Sequence, residues 1–290
     1  MVSIMIPSCK EQFLQKTIDC ILEKSTGDIE IIAGLDGFDQ PVKEHPKVSI
    51  VRPKNRIGMR PIIRAMAEKA KGEYLLKCDA HCQFAEGFDE TLSKCCEDNW
   101  IVIPRQYHLD DESWDRDMTR GKKCYADYWY LTPPSVLEDH EKGAQNLGLK
   151  GRRWYKNIND PSLEKITIDD TMTFQGSCWL MTKNHFQFLK IQDEGFGTFG
   201  YEAAELGMKT WQWGGRVVVN KNTWFAHLHK GKKYHRGYFL SKGTLKKSGF
   251  YFIDMCMNNK WPNAKYTMYE FIERFKDAPG WNKFDWSHKW

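Results

Sequence analysis

Gly72-Glu73-Tyr74-Leu75-Leu76-Lys77-Cys78-Asp79-Ala80-His81 is a short apolar run that stops abruptly in Asp-x-His. The run reads as a buried strand over 73–78, with Gly72 ending the element before it. At the carboxyl end of a strand in an open α/β sheet, side chains face the crevice where ligands bind. Residues two apart on an extended chain point the same way, so Asp79 and His81 face that crevice together. One hard oxygen and one imidazole nitrogen suit a divalent ion that also holds phosphate oxygens, Mn²⁺ ahead of Ca²⁺. Taken alone, the tripeptide reads as well as an acid capping a turn beside a surface histidine. The flanking sequence has to decide.

Upstream, residues 2–7 read as a strand ending at Pro7, and 11–24 as an amphipathic helix with Phe13, Leu14, Ile18, Ile21 and Leu22 on one face. A second buried strand over 29–35 closes at Asp36-Gly37; a strand at 48–52 and a helix at 60–70 follow. Downstream come a helix around 86–96 and a strand at 100–103. This alternation predicts a parallel sheet with right-handed crossovers. Residues 105–170 are polar, rich in Trp and Tyr and broken by Pro133-Pro134 and Gly143, which predicts an insertion of long loops and not a separate domain. Regular pattern resumes at 172–182 and 216–219. The C-terminal extension, 235–290, holds an amphipathic helix at 266–276 and an aromatic tail of Trp281, Phe284, Trp286 and Trp290.

With 290 residues and 41% hydrophobic side chains, the chain can bury a sizeable core. No apolar stretch reaches membrane-spanning length, and Met1-Val2-Ser3-Ile4-Met5-Ile6-Pro7 reads as the first strand and not as a signal peptide. Nine cysteines without a CxxC pair predict reduced thiols in a cytosol. Cys78, His81 and Cys82 lack the second ligand pair that a zinc site needs. The 12 Trp are either core or a surface that stacks on flat partners. From Leu206 to Ile253 there are ten Lys/Arg and no Asp/Glu, although the whole chain is only +5. Such a segment points to a polyanionic ligand, or to a basic face balanced in space by acids such as Asp110, Asp111, Glu112, Asp115 and Asp117.

The chain resembles the glycosyltransferases of the A-type nucleotide-sugar fold, in particular family-2-like enzymes and the polypeptide N-acetylgalactosaminyltransferase group. The strand ending at Pro7, Asp36 after the second strand, Arg56 and Gly58 before a helix, and Asp79-x-His81 follow that pattern. The second half adds Gln175-Gly176-Ser177-Cys178-Trp179-Leu180-Met181, then Gly200-Tyr201-Glu202-Ala203-Ala204-Glu205 with Trp211-Gln212-Trp213-Gly214-Gly215, then Phe225-Ala226-His227. It departs at Tyr201, where the group has Gly, at Ala203, where it has Asn, and at Trp213, where it has Cys. The resemblance implies an α/β mixed sheet flanked by helices, with a catalytic domain over 1–236, an acceptor-side insertion at 105–170 and an extension at 237–290 packed on it.

It also implies roles. Asp79, His81 and His227 would hold Mn²⁺ (or Mg²⁺) against the diphosphate of a UDP-sugar; His229 competes with His227, since alternation puts both on one face. Asp36 would accept from the uracil N3–H, and Pro7, Ser8 and Glu11 would border the base. Arg56 and Arg60, with Gly58 between them, would reach base or phosphates. Lys230, Lys233 and Arg236 would close over the diphosphate, with Gly231 and Gly237 as hinges. Glu202 would orient the acceptor or sugar, or act as base if the enzyme inverts, with Glu205 second in line. Asp169-Asp170 are weaker candidates for sugar contact. The acceptor stays open between a hydroxylated base in DNA, met through the basic 206–253 segment, and a polysaccharide or protein. A non-catalytic nucleotide- or nucleic-acid-binding module is the alternative of another class. A cytoplasmic setting without a membrane is expected.

Overall fold

The computed structural model describes residues 1–120, 124–135, 147–191, 194–230, 233–234, 238, 242–288 and 290. The first half alternates as its pattern predicts: β1 (Val2–Ser8), α1 (Leu14–Lys24), β2 (Ile29–Leu35), β3 (Val48–Val51), α2 (Met59–Lys69), β4 (Tyr74–Cys78), β5 (Cys82–Phe84), α3 (Phe88–Ser93) and β6 (Trp100–Asp110). Between 115 and 170 lie short pieces: β7 (Asp115–Arg116), β8 (Tyr125–Ala126), β9 (Trp129–Leu131), β10 (Gly151–Arg153), α4 (Tyr155–Ile158), α5 (Pro161–Glu164) and β11 (Ile168–Asp170). Then come β12 (Cys178–Thr182), α6 (Lys183–Leu189), α7 (Glu202–Trp213), β13 (Arg216–His227), α8 (Lys242–Met257) and α9 (Met268–Arg274).

The main sheet runs β11-β13-β6-β12-β4-β1-β2-β3. Strands β4, β1, β2 and β3 are parallel, and β13 is parallel to β6. β12 lies antiparallel between β4 and β6, so the sheet is mixed and not purely parallel. That inserted strand decides the site. It starts where β4 ends, with Cys178 opposite Cys78, and so brings Gln175-Gly176-Ser177 to the crevice edge.

Two apolar layers cover the two faces. One joins Leu14, Ile18 and Ile21 of α1 to Ile4, Ile6 and Ile31 of the sheet. The other joins Ile63 and Met66 of α2 to Leu206 and Met208 of α7 and to Phe252, Trp261, Phe271 and Trp281 of the C-terminal part. Fully burying one such side chain contributes about 1.5–3 kcal/mol. Gly72 ends the α2 connection as its position suggests, but its main constraint is space: a Cβ there would lie 2.7 Å from Ser3 Oγ.

Helix α8 has no clear counterpart in the sequence pattern. Gly249, in its interior, lowers helix propensity by about 1 kcal/mol relative to Ala. A Cβ at Gly249 would meet Leu147 Cδ1 at 2.4 Å and Tyr201 Oη at 2.8 Å, so any larger residue would have to displace the ends of these two side chains. Of the two readings of the aromatic residues, core or stacking surface, Tyr125, Tyr128, Trp129 and Trp154 take the core one, while Tyr155 is exposed.

Candidate active site

Four chain segments end at one edge of the sheet. β1 delivers Pro7 and Ser8, β2 delivers Asp36, and β4 delivers Asp79 and His81. β13 arrives with His227, which pairs in register with Cys82 of β5 and His108 of β6. Two backbone bonds lock the convergence: Leu228 N donates to His81 O at 3.1 Å, and Asp79 N donates to Ser177 O at 2.9 Å. From below, Thr17 Oγ1 on α1 accepts from Cys82 N at 3.1 Å. The resulting cleft encloses about 540 Å³ and is lined by all of these segments, together with Glu11, Arg56, Glu202 and Lys230.

Asp79, His81 and His227 each offer a ligand atom, all within 4.8 Å of one another. His227 Nε2 lies 3.1 Å and His81 Nε2 3.9 Å from Asp79 Oδ2. Of the two competing histidines, His227 is the one brought to Asp79. His229 stands beyond it, its ring 4.8 Å from that of His227 and 4.5 Å from that of His108. Arg153 Nη2 lies 2.7 Å from His108 Nε2, and since arginine only donates, that nitrogen accepts.

Lys77 lies under this cluster. Its Nζ sits 2.5 Å from Asp79 Oδ1 and donates to Gly176 O at 2.6 Å. Burial alone would push the Lys77 ammonium down, but the charges of Asp79 and then Glu202 more than offset it and raise its pKa. Burial would likewise raise Asp79; the Lys77 ammonium, then His227, hold its carboxyl far below the usual carboxylate range. Burial pushes His227 down, with Asp79 opposing, which favours the neutral imidazole that metals bind. A carboxylate oxygen and two imidazole nitrogens converging on one point form a donor set that fits Mn²⁺.

The family model described as "Glycosyl transferase family 2" matches residues 3–187. The chain belongs to glycosyl transferase family 2. Its curated relatives include polypeptide N-acetylgalactosaminyltransferase 3 of Taeniopygia guttata, 25% identical over 72% of this chain and 32% of that protein. The Homo sapiens protein of the same name is 24% identical over 72% of this chain and 31% of the other. The family 2 chain thus spans about a third of the length of these relatives. A crystal structure of GalNAc-T7 with UDP, GalNAc and Mn²⁺ superposes with a TM-score of 0.66 at 17% identity, covering 99% of this chain and 53% of that one. The likeness is one of fold, and the fold is the A-type glycosyltransferase fold.

Within this family 2 fold, the other sequence-predicted residues fall into three groups. Pro7, Ser8, Glu11, Asp36, Arg56, Glu202 and Lys230 line the cleft. Asp36 is already engaged: its carboxylate accepts from Ile57 N at 2.7 Å and Gly58 N at 3.0 Å. Gly58 therefore shapes the site through its backbone. Glu11 turns its carboxylate to His81 and Lys230, which outweigh burial and hold it below its ordinary range.

Arg60 is a correction. It does not reach the cleft: its guanidinium is 1% exposed and pairs with the fully buried Glu205, which also holds Lys209. An arginine in the first turn of α2 points at α7, and a buried charge there has to be paired. Lys233 is a second: it is tied to Asp111 on the surface. Asp169 and Asp170 are a third. Tyr128 Oη donates to Asp169 at 2.5 Å, and Asp170 pairs with Arg216 and Arg274, away from the cleft. Arg236, Gly231 and Gly237 lie outside the described residues.

The sequence reading missed Lys77, Phe199, Tyr234 and Tyr238 on the cleft wall. Lys77 had a signal: a lone cation in an apolar strand must find a buried partner.

Proposed function

We propose that the cleft binds a UDP-sugar through Mn²⁺ held by Asp79, His81 and His227, and that the protein transfers the sugar to a hydroxyl acceptor. The observation that carries this reading is the convergence of those three donors at the carboxyl end of β4 and β13. The names of the relatives and the ligands of GalNAc-T7 support it. When bound, the metal supplies Lewis-acid neutralisation of charge on the departing diphosphate. Asp36 and the Pro7-Ser8 edge receive the base, with Arg56 beside them. Lys230 and Glu11 border the phosphate end.

In the transfer, the bond from the anomeric carbon to the β-phosphate oxygen breaks and one to the acceptor oxygen forms. The acceptor proton passes to the leaving diphosphate on the same face, which retains the anomeric configuration. Glu202, at the start of α7 and packed 3.2 Å from where a Gly176 Cβ would lie, orients the hydroxyls.

The acceptor we infer is a hydroxyl on a polymer, with hydroxymethylated pyrimidine in DNA as the one to test first. The support is narrower than the basic segment suggested. Lys209, Arg216, Lys230 and Lys233 pair with acids. Lys246 and Lys247 on α8, with Arg152 on β10, are exposed and available to phosphates. Among the described residues no helix is long and apolar enough to cross a membrane. All nine cysteines are free thiols.

The test is UDP release from a panel of UDP-sugars with Mn²⁺, alone, with hydroxymethylated DNA and with Ser/Thr peptides. Release stimulated by that DNA, with a sugar-sized mass gain on the base, supports the DNA acceptor. Stimulation by peptide alone moves the acceptor to protein, and no release from any donor overturns the proposal.

A further inference from the structure

Glu11 sits in the turn between β1 and α1, and its carboxylate serves two partners. Oε1 pairs with Lys230 Nζ. Oε2 faces His81 Nδ1 at 3.4 Å, and among the described residues neither of those buried atoms has another hydrogen-bond partner. The other nitrogen of the same ring, His81 Nε2, points at Asp79 Oδ2. One edge of the imidazole therefore faces the three-donor cluster and the opposite edge faces a carboxylate.

A histidine can ligate only through an unprotonated nitrogen, so its proton must sit on the other nitrogen and find an acceptor there. Glu11 Oε2 occupies that place for His81. Among the described residues His227 has no equivalent: its Nδ1 is buried with no hydrogen-bond partner there. Lys230, three residues beyond the end of β13, holds the other oxygen of Glu11. The chain that delivers His227 thus also anchors the carboxylate behind His81.

We propose that Glu11 is a positioning residue that fixes His81 with its proton on Nδ1, and that Lys230 holds Glu11 in register for this task. This rests on the reading of Asp79, His81 and His227 as a metal site, and it assigns Glu11 to the metal end of the cleft instead of the base.

The test uses the full chain and Mn²⁺ alone, titrated calorimetrically, with ¹⁵N spectra of the imidazoles recorded on the metal-free protein, where no metal fixes the tautomer. The variants are Glu11→Ala, Glu11→Gln and His81→Ala, with metal-free unfolding midpoints as the check on folding. Glu11→Ala is expected to lose roughly 10–100-fold in Mn²⁺ affinity, the usual consequence of removing such a partner. Glu11→Gln, which keeps an acceptor oxygen, should recover part of that loss. In Glu11→Ala the His81 ring should become a mixture of tautomers, a change that loose packing alone would not produce. If wild type binds Mn²⁺, His81→Ala does not, and Glu11→Ala stays within about twofold with His81 still protonated on Nδ1, the Glu11 assignment alone is overturned. If His81→Ala binds Mn²⁺ like wild type, the metal site and the Glu11 assignment fall together. Should Glu11→Ala fail to fold, Glu11→Gln decides by the same two readouts.

Discussion

The ammonium of Lys77 lies 2.5 Å from Asp79 Oδ1, on the same side of the same strand end, while Asp79 Oδ2 faces His227 at 3.1 Å. One oxygen of the carboxylate is thereby engaged from below and the other left to the cleft. A cation arriving at Oδ2 meets a fixed positive charge behind its ligand. Lys77→Met is therefore expected to bind Mn²⁺ at least tenfold more tightly, about 1.4 kcal/mol. It should slow sugar transfer, because Asp79 loses the contact that aims it. Metal titration beside initial rates checks both; weaker Mn²⁺ binding would mean that aiming outweighs repulsion.

Arg60, Glu205 and Lys209 form an interior ionic group between α2 and α7. Removing one member of a buried pair leaves the other uncompensated, at about 3–5 kcal/mol. Glu205→Ala strands two cations and should approach that loss in urea unfolding. Its surviving folded fraction should bind UDP with wild-type affinity, since Glu205 does not line the cleft.

His185 is buried, with Nε2 3.0 Å from Thr210 Oγ1, and burial lowers its pKa from 6.5 to about 4. The unfolded chain takes up a proton near pH 6.5 that the folded chain refuses until about pH 4. Stability from this group is present above pH 6.5, declines as pH falls through that window and levels off below about 4. At pH 5 the loss is about 2 kcal/mol. Denaturant unfolding at pH 7 and pH 5 should show a smaller drop in His185→Gln than in wild type.

Tyr201 holds a left-handed backbone, φ +61°, directly before Glu202. That conformation disfavours a bulky residue by about 1–3 kcal/mol. The ring offsets this by packing on Phe252 at 5.3 Å and donating from its hydroxyl to Gly148 O at 3.3 Å. Tyr201→Ala loses the packing and keeps the strain, whereas Tyr201→Gly loses the packing and relieves it. Both should be less stable than wild type, with the Gly variant about 1 kcal/mol better than Ala. Equal stabilities would show that the backbone angle carries no cost here.

The apolar strands were legible because parallel strands buried on both faces read as continuous apolar runs. Ile29–Leu35 and Tyr74–Cys78 stand where the pattern puts them. Asp79, His81 and His227 were legible because a strand end and a motif order point to them, although choosing His227 over His229 needed the register of β13 on β6. Arg60 was misread because α2 carries it into α7, a long-range contact that helix periodicity does not encode. For the basic segment the sequence left two readings open, and the pairing of Lys233 with Asp111 and of Arg216 with Asp170, both distant in sequence, favours a basic face balanced in space by acids. Helix α8 was hidden in part by Gly249, which packs against Leu147 and Tyr201, contacts that lie far away in sequence.

A metal-dependent nucleotide site built on Asp79 is best probed by calorimetric titration of UDP into wild type and Asp79→Asn, each with and without Mn²⁺. UDP should bind wild type with an affinity that falls at least tenfold when Mn²⁺ is withdrawn, and its binding to Asp79→Asn should be indifferent to Mn²⁺. Equal UDP affinity in both proteins, indifferent to Mn²⁺, would contradict it.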